Sequence, residues 1–173
     1  MIKLKDILKE MPIPNSKGIY GVIKPKDRII MSDEEVITPR NTLQRKDGFK
    51  PRGLWYAMGT EWWDWMNNQM PQWVDDYNFV FKLELHEDMI FKLGHDMSYT
   101  EFEERYGSYD YDYDVISDIN WIKVQADLMK ENKYGIEIIA PFGIMGHWLR
   151  PWDISSGCVW GKKAIKDIVK IEI

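Results

Sequence analysis

Lys50-Pro51-Arg52-Gly53-Leu54-Trp55-Tyr56-Ala57-Met58-Gly59-Thr60-Glu61-Trp62-Trp63-Asp64-Trp65-Met66 decides how the rest of the chain is read. Pro51 and Gly53 break any preceding element, and Leu54 to Met58 is short, apolar and aromatic, as a buried strand would be. Gly59-Thr60 offers a turn with a helix cap, Glu61 puts a negative charge where a helix start favours it, and Pro71 closes the pattern after Met70. The stretch predicts strand, turn and helix, with Trp62, Trp65, Met66 and Gln69 on one helix face. Such a unit can wall a pocket for a planar ligand. It also builds cores, and aromatic stripes at helical spacing usually just pack.

Upstream, Leu4, Ile7, Leu8 and Met11 fall at i, i+3, i+4 and i+7 of an amphipathic helix ended by Pro12 and Pro14. Residues 1–14 read as a terminal helix that docks a protein partner or packs on its own domain, and residues 15–173 as a single domain. Gly18 to Ile23 and Asp27 to Ser32 each read as a short strand, with Lys24-Pro25-Lys26 turning between them. Residues 33–49 read as loop. Arg40, Arg45 and Lys46 lie in it, with Lys50 and Arg52 just beyond, forming either a solvated surface or one that faces phosphate.

Downstream, Tyr77 to Leu85 alternates like a strand with one buried face, and Met89 to Leu93 reads as a second strand. Ser98 and Glu101 form a capping box for a helix that turns Phe102 and Tyr106 inward. Ser108 to Asp114 alternates Tyr with Asp and reads as an acidic surface loop, since it lacks the glycine and terminal glutamate of a calcium-binding loop. Asp118 to Lys130 is the longest predicted helix, with Trp121, Val124 and Leu128 on one side. Tyr134 to Ala140 follows as a strand carrying Glu137, Gly143 to Pro151 as loop, Trp152 to Trp160 as another strand, and Ile165 to Ile173 as a helical turn running into a last strand. The sum is an α+β domain with a mixed, mostly antiparallel sheet of about seven strands and three or four helices.

A chain of 173 residues is long enough to bury its own core. Nine Trp and nine Tyr exceed ordinary usage and give the first functional hint. A net charge of −5 argues against broad attraction to nucleic acid. The single cysteine, Cys158, excludes an intramolecular disulfide and reads as a buried structural thiol, so a cytoplasmic setting fits, the host cytoplasm for a viral protein. No apolar run approaches the ~18 residues of a membrane span, and the N-terminus is too charged for a signal sequence. Glycine-rich phosphate loops, GxSxG elbows, paired-cysteine sites and HExxH are absent, and His86, His95 and His147 share no ligand spacing, so no metal is expected.

The second informative block is Trp152-Asp153-Ile154-Ser155-Ser156-Gly157-Cys158-Val159-Trp160. A carboxylate in apolar surroundings followed by two hydroxyls and a glycine suits a site; an Asx-type turn entering a strand has the same composition. Together the two blocks resemble an uncharacterised family of bacteriophage and bacterial proteins. Its members share a KPxGLWxS-like block, a tryptophan helix, an IxW helix before a YDGI-like strand, and a WDxxSGCxW block. Asn120-Trp121 and Tyr134-Gly135-Ile136 fit the middle pair, so the resemblance covers residues 28–160.

The order of elements in turn resembles ADP-ribosyltransferase-like domains, in which a first strand bears His or Arg, a second bears Ser or Tyr before a helix, and a late strand bears Glu. This resemblance implies NAD as cofactor. It places the first site at Arg28 or at Ile30-Met31-Ser32, the second at Tyr56, and the third at Glu137 or Asp153. Trp55 or Trp65 with Tyr56 would stack the nicotinamide, and Arg28 or Arg52 would meet a phosphate. Ser32 and Ser155 belong to the same implied cofactor site, and the carboxylate would stabilise an oxocarbenium-like ribosyl centre. Ile30-Met31-Ser32 departs from a His-Tyr-Ser-like tripeptide, removing a ribose-binding group, and Ala57 stands where the block has Ser. The resemblance therefore implies a nucleotide-binding protein, either active or degenerate to weak binding or the fold alone. The alternative is a non-catalytic interaction or virion-associated protein with an aromatic binding face. A glycosidase pairing two of Asp64, Asp75 and Asp153 is a third reading. Convergence of Arg28, Tyr56 and Asp153 on one cleft favours the nucleotide site; dispersal favours the interaction protein.

Overall fold

The computed structural model describes residues 16–46, 49–110, 115–139, 147–149 and 152–172. The terminal helix expected over residues 1–14, and most of the Gly143 to Pro151 loop, lie outside the described residues. In chain order the elements are α1 (Ser16–Val22), β1 (Arg28–Ser32), β2 (Leu54–Met58), α2 (Glu61–Gln69), a 3₁₀ turn at Pro71–Asp76, β3 (Phe79–Leu85), β4 (Ile90–Leu93), α3 (Tyr99–Tyr106), β5 (Gly107–Asp110), β6 (Val115–Ile119), α4 (Trp121–Lys130), β7 (Gly135–Ile138), β8 (Ser156–Val159) and β9 (Ile165–Ile171).

The strand–turn–helix of residues 54–69 is present, and its turn requires glycine. Gly59 has φ +54°, and a Cβ there would lie 3.0 Å from Pro25 Cα. Thr60 does not cap α2: its hydroxyl donates to Asp64 Oδ2 at 2.8 Å, and Glu61 and Asp64 answer the helix dipole instead. Ser98 does cap α3, accepting from the Glu101 N–H at 3.2 Å.

Seven strands form one sheet in the order β4-β7-β8-β2-β1-β3-β9. All neighbours are antiparallel except β4 and β7, whose parallel pairing is reached through α3, the β5–β6 hairpin and α4, the long crossover such a pair needs. The fold is thus α+β, with four described helices and a mostly antiparallel seven-stranded sheet. Among the described residues no helix is long and apolar enough to cross a membrane.

Some local expectations are corrected. Gly18 to Val22 belongs to helix α1, not a strand. Ile19 and Ile23 are buried beside Ile29, Trp63 and Met66, and residues four apart share a face at either period, so the pattern did not separate the two. Ser108 to Asp110 is strand rather than loop, paired with β6; this delays α4 to Trp121, where Asn120 Oδ1 caps the Lys123 N–H at 3.1 Å. Ile165 to Ile171 is strand throughout, with a 3₁₀ turn at Lys162–Ala164 before it.

The two faces of the sheet bury different clusters. On one, Ile29, Met31 and Val80 pack with Ile19, Trp63 and Met66 of α1 and α2, while Phe91, Ile136 and Cys158 pack with Phe102, Trp121 and Leu128 of α3 and α4. On the other, Ile30, Tyr56, Phe81, Leu83, Leu85, Ile90 and Val159 form a third cluster. Leu85 of β3 and Ile90 of β4 come from strands near opposite ends of the sheet, so this face curls over its own contents.

Candidate functional site

Successive side chains of a strand point to opposite faces, and β2 divides the predicted site accordingly. Tyr56 enters the curled face and is fully buried, while Trp55 packs against the α3–α4 side with Trp152, ring centroids 4.8 Å apart.

On the curled face, the Tyr56 hydroxyl donates to Glu137 Oε2 at 2.8 Å, and Arg28 Nε donates to the same oxygen at 2.7 Å. The remaining guanidinium nitrogens of Arg28 grip Glu87 in a two-point pair at 2.6 and 3.0 Å, and Lys92 Nζ adds a bond to Glu87 at 2.8 Å. Three of the predicted residues, Arg28, Tyr56 and Glu137, therefore converge. Their functional groups are nevertheless spent on one another: Glu137 is 5% exposed and Tyr56 fully buried, and the hollow of about 220 Å³ lined by Arg28 and Glu87 is lined by neither of them. Burial, reinforced by Glu137, raises the Tyr56 pKa well above its ordinary value. Burial alone would lower the basicity of Arg28, but the bonds to Glu87 and Glu137 outweigh it and raise it. Glu87 is held down at about 2, chiefly by the hydrogen bond from Arg28.

Gly157 makes this arrangement possible. It sits in β8 between Glu137 of β7 and Tyr56 of β2, and a Cβ there would stand 2.3 Å from the Tyr56 ring and hydroxyl and 2.8 Å from the Ile136 carbonyl oxygen. The missing side chain is the space across which the phenol reaches the carboxylate.

The opposite face holds an open cleft of about 440 Å³, lined by Phe49, Lys50, Trp55, Trp62, Trp65, Trp73, Asp153, Ile154 and Ser156. It lies at the seam between the two helical clusters, Trp62 and Trp65 packing on the α1–α2 side and Trp55 on the α3–α4 side. Trp65 and Trp73 stand 6.1 Å apart at 50°, so the wall is faceted rather than flat. Lys50 Nζ lies 4.9 Å from the Trp55 ring centre and 5.7 Å from that of Trp152, a cation held over aromatic faces. Burial lowers its pKa, and the Asp153 charge opposes that shift. Glu61, at the start of α2, accepts the Ser155 N–H at 2.6 Å and so ties the segment carrying Asp153 to the tryptophan helix.

The remaining predicted residues lie elsewhere. Ser32 is buried and accepts the Glu34 N–H at 3.0 Å; Arg52 is exposed, its backbone clasped by the Gln44 amide; Ser155 is buried and does not line the cleft, where Ser156 takes its place. Asp64 accepts hydroxyl bonds from Tyr20 and Thr60 and does not line the cleft with Asp153. His86 and His95 are exposed, and among the described residues no three metal-ligating side chains cluster. Burial raises the Cys158 thiol pKa, and Sγ lies 3.6 Å from the Pro51 carbonyl oxygen, an inert packed thiol.

The sequence places Lys50 in the basic stretch that can face phosphate and Trp62 on the helix face that can wall a pocket, whereas Phe49 and Trp73 carry no signal of their own; the shared orientation of the four depends on how α2 and the 3₁₀ turn fold back. The acceptor role of Glu87 has no sequence signal, because Glu87 lies in a turn 59 residues from Arg28.

Comparison of the chain with protein-family models, curated proteins and solved structures gives no match. The functional reading therefore rests on the residues of the cleft.

Proposed function

We propose that the tryptophan cleft binds a nucleotide, with NAD and ADP-ribose as the first ligands to test. The observation that carries this reading is the convergence of Trp55, Trp62 and Trp65 with Lys50 and Asp153 around a cleft of about 440 Å³, a size within the ordinary range for small-molecule sites. A planar base or nicotinamide gains stacking area on the indoles. Lys50 supplies the cation for a phosphate, and Asp153 an acceptor for ribose hydroxyls. In this reading ADP-ribosyl transfer falls to Asp153 alone, because Glu137 and Tyr56 are committed to Arg28 on the other face. Binding is thus better supported than turnover.

A second reading, a partner-binding face, is the one that the dispersal of Arg28 and Tyr56 to one face of the sheet and Asp153 to the other favours; Phe49 and Trp73, at the cleft, are 63% and 40% exposed, the kind of apolar anchor that a protein partner covers. Calorimetry with NAD and ADP-ribose separates the two. The nucleotide reading expects saturable binding that falls about tenfold or more in Trp65→Ala and in Asp153→Ala and persists in Tyr56→Phe. Absence of heat up to millimolar ligand overturns it and leaves the partner-binding face.

A further inference from the structure

We infer that the tryptophan cleft takes a zwitterionic ligand, with a flat cation laid against the indoles and an anionic arm at Lys50. The inference rests on the nucleotide reading and narrows it. Of the two halves of a nicotinamide dinucleotide, the cleft takes the nicotinamide half in its oxidised form, whose pyridinium ring is positive and whose phosphate is negative.

The first observation is a pair of opposite charges that do not meet. Lys50 and Asp153 line the same cleft, yet their charged groups stand too far apart for an ion pair, and among the described residues neither side chain makes a hydrogen bond or an ion pair. Elsewhere the chain pairs such groups readily: Arg28 holds two carboxylates, and Asp27, Asp127 and Glu35 each hold a lysine. Lys50 is half-buried, and an unpaired charge in apolar surroundings is costly, which is why burial lowers its pKa. An anionic group brought by a ligand relieves that cost. Asp153, exposed at the same cleft, is left to answer a positive group. With one unpaired cation and one unpaired anion, the described lining has no net charge, which suits a ligand of both signs better than a polyanion.

The second observation is how the aromatic wall is divided. Lys50 Nζ already sits over Trp55 and Trp152, so that side of the cleft holds a cation of its own. Trp62 and Trp65 pack on the α1–α2 side, Trp73 stands beside Trp65, and among the described residues no lysine or arginine lies over any of the three. An indole face attracts a cation within about 6 Å of its centre. A pyridinium ring gains that attraction together with stacking, whereas a neutral ring of the same shape gains stacking alone. The ligand therefore spans the seam, its ring on the open indoles and its phosphate toward Lys50.

The test is calorimetry of the full chain with nicotinamide mononucleotide, with its reduced dihydro form and with ADP-ribose. The first two share size and phosphate and differ in the charge of the ring, so the parent chain alone decides the question. The expected result is binding of the oxidised form tighter than the reduced form by about tenfold or more. Asp153→Asn keeps an oxygen acceptor for ribose hydroxyls and removes the charge, so it should bring that ratio to within about twofold. Lys50→Met should weaken both forms by about tenfold or more while the preference for the oxidised one persists. Equal binding of the two forms by the parent, or an unchanged ratio in Asp153→Asn, overturns the inference, and saturable binding of ADP-ribose in the same series leaves the nucleotide reading standing. No heat with any of the three ligands up to millimolar concentration overturns both.

Discussion

Trp55 and Tyr56 are consecutive residues of one strand, yet they belong to regions built on opposite principles. Tyr56 is sealed with Glu137 and the inner nitrogen of Arg28, whose outer nitrogens pair with Glu87 at the surface. Trp55 lies in a cleft where several large aromatic faces, an amine and a carboxylate share open space. The difference teaches that convergence of reactive residue types is not by itself a site. The curled face converges more tightly than the cleft, but its Tyr56 and Glu137 are buried and bonded to one another and to Arg28, so that chemistry serves stability; the cleft leaves its aromatic faces and charges open, and the proposed binding is assigned there.

Variants that break the sealed face have the largest expected effect. Glu137→Ala strips the shared acceptor from Tyr56 and Arg28 and leaves both polar groups buried, so unfolding in urea should show a loss of about 3 kcal/mol. Gly157→Ala forces a methyl group into the Tyr56 ring and should cost about 2 kcal/mol or more by the same measurement; combining it with Tyr56→Ala should recover part of that cost, since the ring is what the methyl meets. Tyr56→Phe removes one hydrogen bond and should cost about 1 kcal/mol. None of the three acts on the cleft, so any fraction that folds should bind cleft ligands as the parent does; a binding loss specific to Tyr56→Phe would join the two regions and break the comparison.

The cleft should show the reverse pattern. Trp65→Ala and Asp153→Ala should lower ligand binding about tenfold, worth about 1.4 kcal/mol. Asp153→Ala should shift the melting temperature little, because the residue is exposed. A marked drop in its melting temperature would make Asp153 a structural turn residue instead.

The smallest effect is a pH dependence from Glu87. Its pKa is lowered in the folded state to about 2, so its pairing contributes fully above the unfolded value, near pH 4.5, and is lost as the pH falls from there through about 2. The carboxylate is 56% exposed and screened by solvent, which limits the contribution to less than about 1 kcal/mol. The stability gap between the parent and Glu87→Gln should narrow over that window; a gap that stays constant would show that Arg28 gains nothing from the charge of Glu87.

Much of the fold was legible where one period was unambiguous: β2 and α2 around Gly59, β3 with its alternation, and α3 behind the Ser98 cap. Legibility failed where two periods coincide, as with Ile19 and Ile23 of α1, and where polar residues form a hairpin, as at Ser108 to Asp110. For the site, the sequence brought forward Trp55, Trp65 and Asp153, which share the cleft, and Arg28, Tyr56 and Glu137, which share the sealed network, but it merged the two groups. The pleat of β2 and the curl of the sheet are properties of the assembled strands, and no local spacing encodes them.

The sequence by itself determined the α+β class, the mostly antiparallel sheet and the aromatic surplus, because hydrophobic period, turn residues and caps act over a few neighbouring positions. Only the tertiary structure decided that Glu137 is spent on Tyr56 and Arg28 and that Lys50 and Asp153 flank the tryptophans. Each of these joins residues far apart in the chain, whose meeting depends on strand order, curl and burial.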